Sequence, residues 1–184
     1  SVQVFFVAMQ QICFLFFRMG DLSPRDNPAM DAFYSDQFVL VLPQGHRFPM
    51  EKYALLRDGI TRVLPKVVLH EAPEATDGQL ALVHTPVFID AVTCGTLSAA
   101  ALREIGFPWS PGMAERARRS VGATIAAVGS AMRSGVAANL AGGTHHSYAE
   151  KGGGFCVFND VAVAARVAQA QWRRSHVQPL PVAV

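Results

Sequence analysis

Charge is scarce in this chain of 184 residues: Asp, Glu, Lys and Arg together make up 16%, and the formal net charge is only +2. With apolar residues at 51%, the composition excludes a disordered or highly solvated chain and suits a buried core. No basic run interleaves with aromatics, so nucleic-acid binding has no support. Arg116, Arg118 and Arg119 fall in one helical stretch and read as a solvated face. Cysteine is scarce too. Cys13, Cys94 and Cys156 are odd in number, far apart and without CxxC spacing. That excludes a disulfide framework and points to a reducing, cytoplasmic compartment. The apolar run from Val2 to Phe17 is broken by Gln3, Gln10 and Gln11 and is too short for a membrane span. A signal peptide would carry positive charge before its apolar part, whereas Arg18 follows it. A membrane anchor is the alternative for this run, but membrane binding is not expected. Residues 1–29 are read as an extension, with the folded domain starting near Met30. Phosphate-binding loops are missing as well: no Lys-Ser/Thr follows the glycines 152–154, and no GxGxxG follows a strand.

What is present is helical periodicity alternating with short apolar runs. Leu55, Leu56, Ile60, Val63 and Leu64 keep helical spacing until Pro65, and Val67 to Leu69 reads as a buried strand. Thr76 and Thr85-Pro86 each open a further helix, and Ser98 to Ile105 forms another that Gly106 closes. The strongest helix carries Met113, Ala117, Val121, Ile125, Val128 and Met132 as one apolar stripe and stops at Gly135. Val136 to Leu140 reads as a strand, Asn159 or Asp160 caps a helix to about Arg174, and Pro181 to Val184 begins another strand. This alternation predicts an α/β fold of three layers, a mostly parallel sheet with helices on both faces, interrupted in its last strand.

The segment from Leu140 to Asp160 places adjacent histidines, His145 and His146, between the glycines 142–143 and 152–154. Two imidazoles in one cleft can divide proton transfer, one accepting from an attacking water and the other donating to a leaving amine. A structural pair bonded to loop backbone is the other reading of the same residues. Phe155 after the triple glycine can wall a narrow apolar channel or simply pack in the core. His46 and Arg47 precede the first helix; arginine suits a carboxylate product, and an exposed pair is the alternative. His70, His84 and His176 have no spaced partners and read as structural or exposed, and Tyr148 and Glu150 as solvent-facing.

Three stretches together resemble the zinc-dependent histone deacetylase family, most closely its bacterial and class IV-like branch. They are Gly45 to Tyr53, Leu82 to Thr85 with Phe88-Ile89, and Ala141 to His146 continuing through Gly152 to Asp160. The resemblance implies the arginase/deacetylase fold and hydrolysis of an acetyl-amide by zinc-activated water. The substrate it implies is acetyl-lysine, an acetylated polyamine or another small acetyl-amide. In that picture His145 is the general base or electrostatic partner for the water, His146 is general acid, Gly154 and Phe155 line the acyl-lysine channel, and Arg47 lines the product cavity. The family's zinc ligands lie in later segments and match no residue here. Residues 30–184 are thus expected to be the N-terminal part of such an enzyme, inactive alone and holding no zinc. A non-catalytic binding remnant on the same scaffold is the competing expectation. The sequence carries no sign of oligomeric state.

Overall fold

The computed structural model describes residues 3–9, 12–18 and 29–183. Its centre is a six-stranded sheet built from β1 (Gln3–Met9), β2 (Ile12–Arg18), β3 (Asp31–Tyr34), β4 (Val68–Glu71), β5 (Val136–Asn139) and β6 (Val182–Ala183), in the order β4-β3-β5-β2-β1-β6. Strands β3, β4 and β5 run parallel, as does β6 beside β1. The hairpin β1–β2 enters between β5 and β6, with β2 antiparallel to β5. Two segments of the stretch read as an extension, Gln3–Met9 and Ile12–Arg18, thus pair with this sheet.

Among the described residues six helices surround the sheet: α1 (Lys52–Val63), α2 (Asp77–Leu80), α3 (Pro86–Cys94), α4 (Ala99–Ile105), α5 (Pro111–Ser134) and α6 (Asp160–Trp172). Their starts follow local chemistry. The side chains of Thr76, Thr85, Ser98, Ser110 and Asn159 each accept a backbone N–H from the first turn. Gly95 and Gly106 end α3 and α4 in the left-handed conformation. Successive β5 side chains face opposite layers. Ala137 packs with Val128 and Ala131 of α5 and Val161, Ala164 and Ala168 of α6. Ala138 packs on the other face with Leu56 and Ile60 of α1. Three layers result, as the alternation predicts. A third and larger cluster joins Leu80, Phe88, Ile105, Met113, Val121 and Phe158 where the strands end.

Two features depart from the periodicity. In α1 only Tyr53 is buried, and Leu55, Val63 and Leu64 lie exposed. The arginines of α5 are not a solvated face. Arg116 is buried, Arg118 pairs with Asp77 at 2.5 Å, and Arg119 reaches Glu74 and Glu115 at 3.2 Å each. Arg119 also donates to the Ala72 carbonyl at 2.8 Å. The physical reason is that residues 71–77 cross α5 beside Arg118 and Arg119 and supply carboxylates and carbonyls to them, while the carbonyls of Ser35 and Phe38 receive Arg116.

Candidate active site

The site is assembled at the C-terminal end of β5, where an open α/β sheet collects its ligand-binding loops. Asn139, fully buried, ends the strand. Its Nδ2 donates to the Ser120 carbonyl at 2.9 Å and to Thr124 Oγ1 at 2.8 Å, and its Oδ1 accepts from the Ala141 N–H at 2.9 Å. The chain then turns over a second buried group, Asp160. One carboxylate oxygen accepts from the Gly143 N–H at 2.9 Å and Thr124 Oγ1 at 2.5 Å, the other from the Thr144 N–H at 2.7 Å and Thr144 Oγ1 at 2.8 Å. Burial pushes the Asp160 carboxyl up, and these donors pull against that push. Gly142 has to be glycine, because a Cβ there would sit 2.5 Å from Asn139 Nδ2 and 2.8 Å from Asp160 Oδ2.

The turn delivers both histidines to one place. The ring centres of His145 and His146 are 4.2 Å apart and tilted by 41°. Nδ1 of His145 lies 2.8 Å from the Gly143 carbonyl. A carbonyl only accepts, so Nδ1 carries a proton, and in the neutral ring the lone pair is on Nε2. Both rings lie on the open side of a cavity of about 220 Å³ that is also lined by Gly154, Phe155, Tyr53, Met113 and Arg116.

Phe155 forms a wall of this cavity in a strained conformation, with φ of 65°. Its N–H donates to the Ile105 carbonyl at 2.7 Å, and the Gly154 N–H donates to the Glu104 carbonyl at 3.1 Å, so the end of α4 holds the loop. The ring packs against Phe48 at 5.0 Å and Phe107 at 5.1 Å. Gly106 leaves room for it, since a Cβ there would come within 2.8 Å of the ring. Gly154 stands 3.4 Å, measured from an added Cβ, from the ring and Cβ of His146. Four of the five residues singled out in the sequence thus share one cavity. The fifth, Arg47, is exposed and sits with its guanidinium carbon 5.0 Å from the Phe155 ring centre, outside the lining. Its neighbour His46 is tied to the Gly106 carbonyl at 3.0 Å and accepts from the Phe48 N–H.

Periodicity does not reveal the supports of this loop. Asp160 reads locally as a helix cap, yet its partners lie 16 to 36 residues away. Ser120 and Thr124, four apart on α5, are the signal that points to it: two polar groups buried beside an apolar stripe require partners. His84 is a second support. Its Nδ1 donates to the Tyr148 carbonyl at 2.9 Å and its Nε2 accepts from the Asn159 N–H at 3.0 Å, which clamps both ends of the loop. Burial lowers its pKa below 6.5. The neutral ring is the one that fits, so this group's contribution to stability is present above about pH 6.5 and is lost as pH falls through the lowered folded-state value. In urea unfolding, His84→Gln is expected to lose less midpoint stability than the parent chain between pH 7.5 and pH 5. An unchanged pH dependence would refute the clamp. His70 bonds to Asp31 at 2.8 Å and His176 stacks on Trp172, and neither lines the cavity.

The family model of the histone deacetylase domain matches residues 46–179. The chain belongs to the histone deacetylase family. An uncharacterized protein of Picosynechococcus sp. is 42% identical over 142 residues, which cover 74% of this chain and 46% of that protein. The solved HD domain of HDA15 superposes with a TM-score of 0.61 at 22% identity, over 78% of this chain and 44% of that one. A histone deacetylase homologue solved in complex with SAHA superposes at 0.59, with 23% identity, over 78% of this chain and 41% of that one. These structures carry the deacetylase fold, and this chain shares it. The chain spans less than half the length of these relatives. Zinc dependence is general in the family. Among the described residues, no three His, Cys, Asp or Glu side chains converge on one point, so these residues do not by themselves fit a zinc ion, which prefers three or four such ligands.

Proposed function

We propose that this chain is the N-terminal part of a zinc-dependent deacetylase acting on acetyl-lysine, an acetylated polyamine or a similar acetyl-amide in the cytoplasm. The observation that carries this reading is the pair of imidazoles 4.2 Å apart on a cavity walled by Gly154 and Phe155. His145, protonated on Nδ1, offers Nε2 as the base for an attacking water. His146, packed on Gly154, is the acid for the leaving amine. The strained Phe155 flanks the acyl-lysine side chain, and Arg47 above that ring receives the carboxylate product.

In the longer protein, His146→Ala is expected to lower turnover of an acetyl-lysine peptide by about 10²- to 10⁴-fold, the range for losing a general acid, with zinc content unchanged. Turnover kept within tenfold would reject the acid role. The 184-residue chain alone is expected to show no hydrolysis above background with or without added zinc. Binding of an acetyl-lysine peptide to it without metal would leave the non-catalytic binding reading as the alternative for the chain in isolation.

A further inference from the structure

One permanently charged side chain lines the cavity, and neither the acid/base pair nor the channel wall uses it. Arg116 is only 8% exposed and lines the same cavity as the two exposed histidines. Its Nη1 donates to the carbonyls of Ser35 at 3.2 Å and Phe38 at 3.1 Å, and its Cζ stands 4.4 Å from the Tyr53 ring centre. These partners are neutral. Among the described residues no ion pair includes Arg116. A buried guanidinium has five N–H donors and a charge that is costly to keep from water without a counter-ion. Around it the lining is apolar or neutral, with Leu40, Met113, Ala117 and Ser120.

An acetyl group does not answer this arrangement. It ends in a methyl, which gives a guanidinium neither charge nor acceptor. We propose that the cavity takes an acyl group whose far end is a carboxylate, a succinyl- or glutaryl-type half-amide of lysine or another amine, with that carboxylate paired to Arg116. The inference rests on the reading of this cavity as an acyl-amide site and extends its acyl group from acetyl to one ending in a carboxylate. Arginine suits the task because its planar fork meets both oxygens of a carboxylate.

The test is equilibrium binding to the 184-residue chain at pH 7 and low salt. The probes are a succinyl-lysine peptide, the same peptide with the terminal carboxylate replaced by a carboxamide, an acetyl-lysine peptide, and free succinate and acetate. The succinyl peptide is expected to bind at least about tenfold more tightly than its carboxamide and acetyl counterparts, as a buried charge-assisted bond requires. Arg116→Gln should erase that preference, read as the ratio of succinyl- to carboxamide-peptide affinity in the same variant. The carboxamide comparison uses the unaltered chain, so it decides the matter even if Arg116→Gln fails to fold. Equal affinity for the three peptides overturns the proposal and leaves the acyl-amide reading standing. Tight binding of free succinate or acetate with no peptide preference also overturns it and points to a released carboxylate at Arg116. Failure of every peptide to bind overturns the proposal, and the acyl-amide reading is then decided by the turnover measurement on the longer protein.

Discussion

Asp160→Ala is expected to lower the stability of the chain by about 3–5 kcal/mol in denaturant unfolding, among the largest effects of a single substitution. The Gly143 and Thr144 N–H groups lose their acceptor in a buried turn, and an unpaired buried donor costs about 1–3 kcal/mol. The two threonine hydroxyls are less affected, because Thr124 Oγ1 lies 3.2 Å from the Ser120 carbonyl and Thr144 Oγ1 lies 2.8 Å from that of Phe158. Asp160→Asn separates shape from chemistry. Each carboxylate oxygen faces an obligatory N–H donor, so the asparagine amide opposes one of them in either orientation. It is expected to cost about 1–3 kcal/mol despite equal volume. Because the same turn aims His145 and His146, the imidazole resonances of both should shift in an NMR spectrum of the folded Asn variant. A stability loss below 0.5 kcal/mol for Asp160→Ala, by the ordinary scale of surface substitutions, would mean that Asp160 does not hold the turn.

Gly122→Ala should be nearly as damaging for a different reason. A Cβ at this position would lie 2.0 Å from the Pro73 carbonyl oxygen and 2.9 Å from the Ala75 nitrogen. Those are backbone atoms, held in turn by the Ala75 N–H to the Arg118 carbonyl at 3.1 Å, so the overlap cannot be relieved by rotating a side chain. The expected cost is about 3 kcal/mol, at the upper end for overpacking. The displaced helix also carries Ser120 and Thr124 to the site, so the damage reaches the histidine turn. Gly129→Ala in the same helix is the internal control. Its Cβ would meet only the end of Arg133 at 3.6 Å, and it should stabilise α5 by about 0.5–1 kcal/mol through higher helix propensity. Equal effects from the two substitutions would refute the close approach at Gly122.

Much of the architecture is readable in the sequence because it is written locally. Thr76, Thr85 and Gly106 mark helix ends by their own hydrogen bonds or backbone angles, and the α5 stripe from Met113 to Met132 is a repeat of three and four residues. The histidine pair was legible for the same reason, since two glycine turns enclose it within a few positions. What stayed hidden depends on partners distant in the chain. Arg116 lies in a charged run whose fate is decided by carbonyls about 80 residues earlier. The caps of α6 look like ordinary Asn-Asp capping, and only the tertiary structure shows Asp160 turned back toward Thr124 and Gly143. No periodic pattern encodes the antiparallel entry of β1–β2 beside β5, because pairing register follows from which edge is free in the assembled sheet.

That entry has a kinetic corollary. Val4 pairs with Val182 and Phe5 with Ala183, so two of the most sequence-distant stretches become neighbours. Loops of that size are entropically slow to close. During synthesis the early ribbon can zip onto β5 once residue 139 is available, but its outer rim stays bare until residue 183 has emerged. Among the described strands, the pairing of β6 with β1 is therefore the last to form.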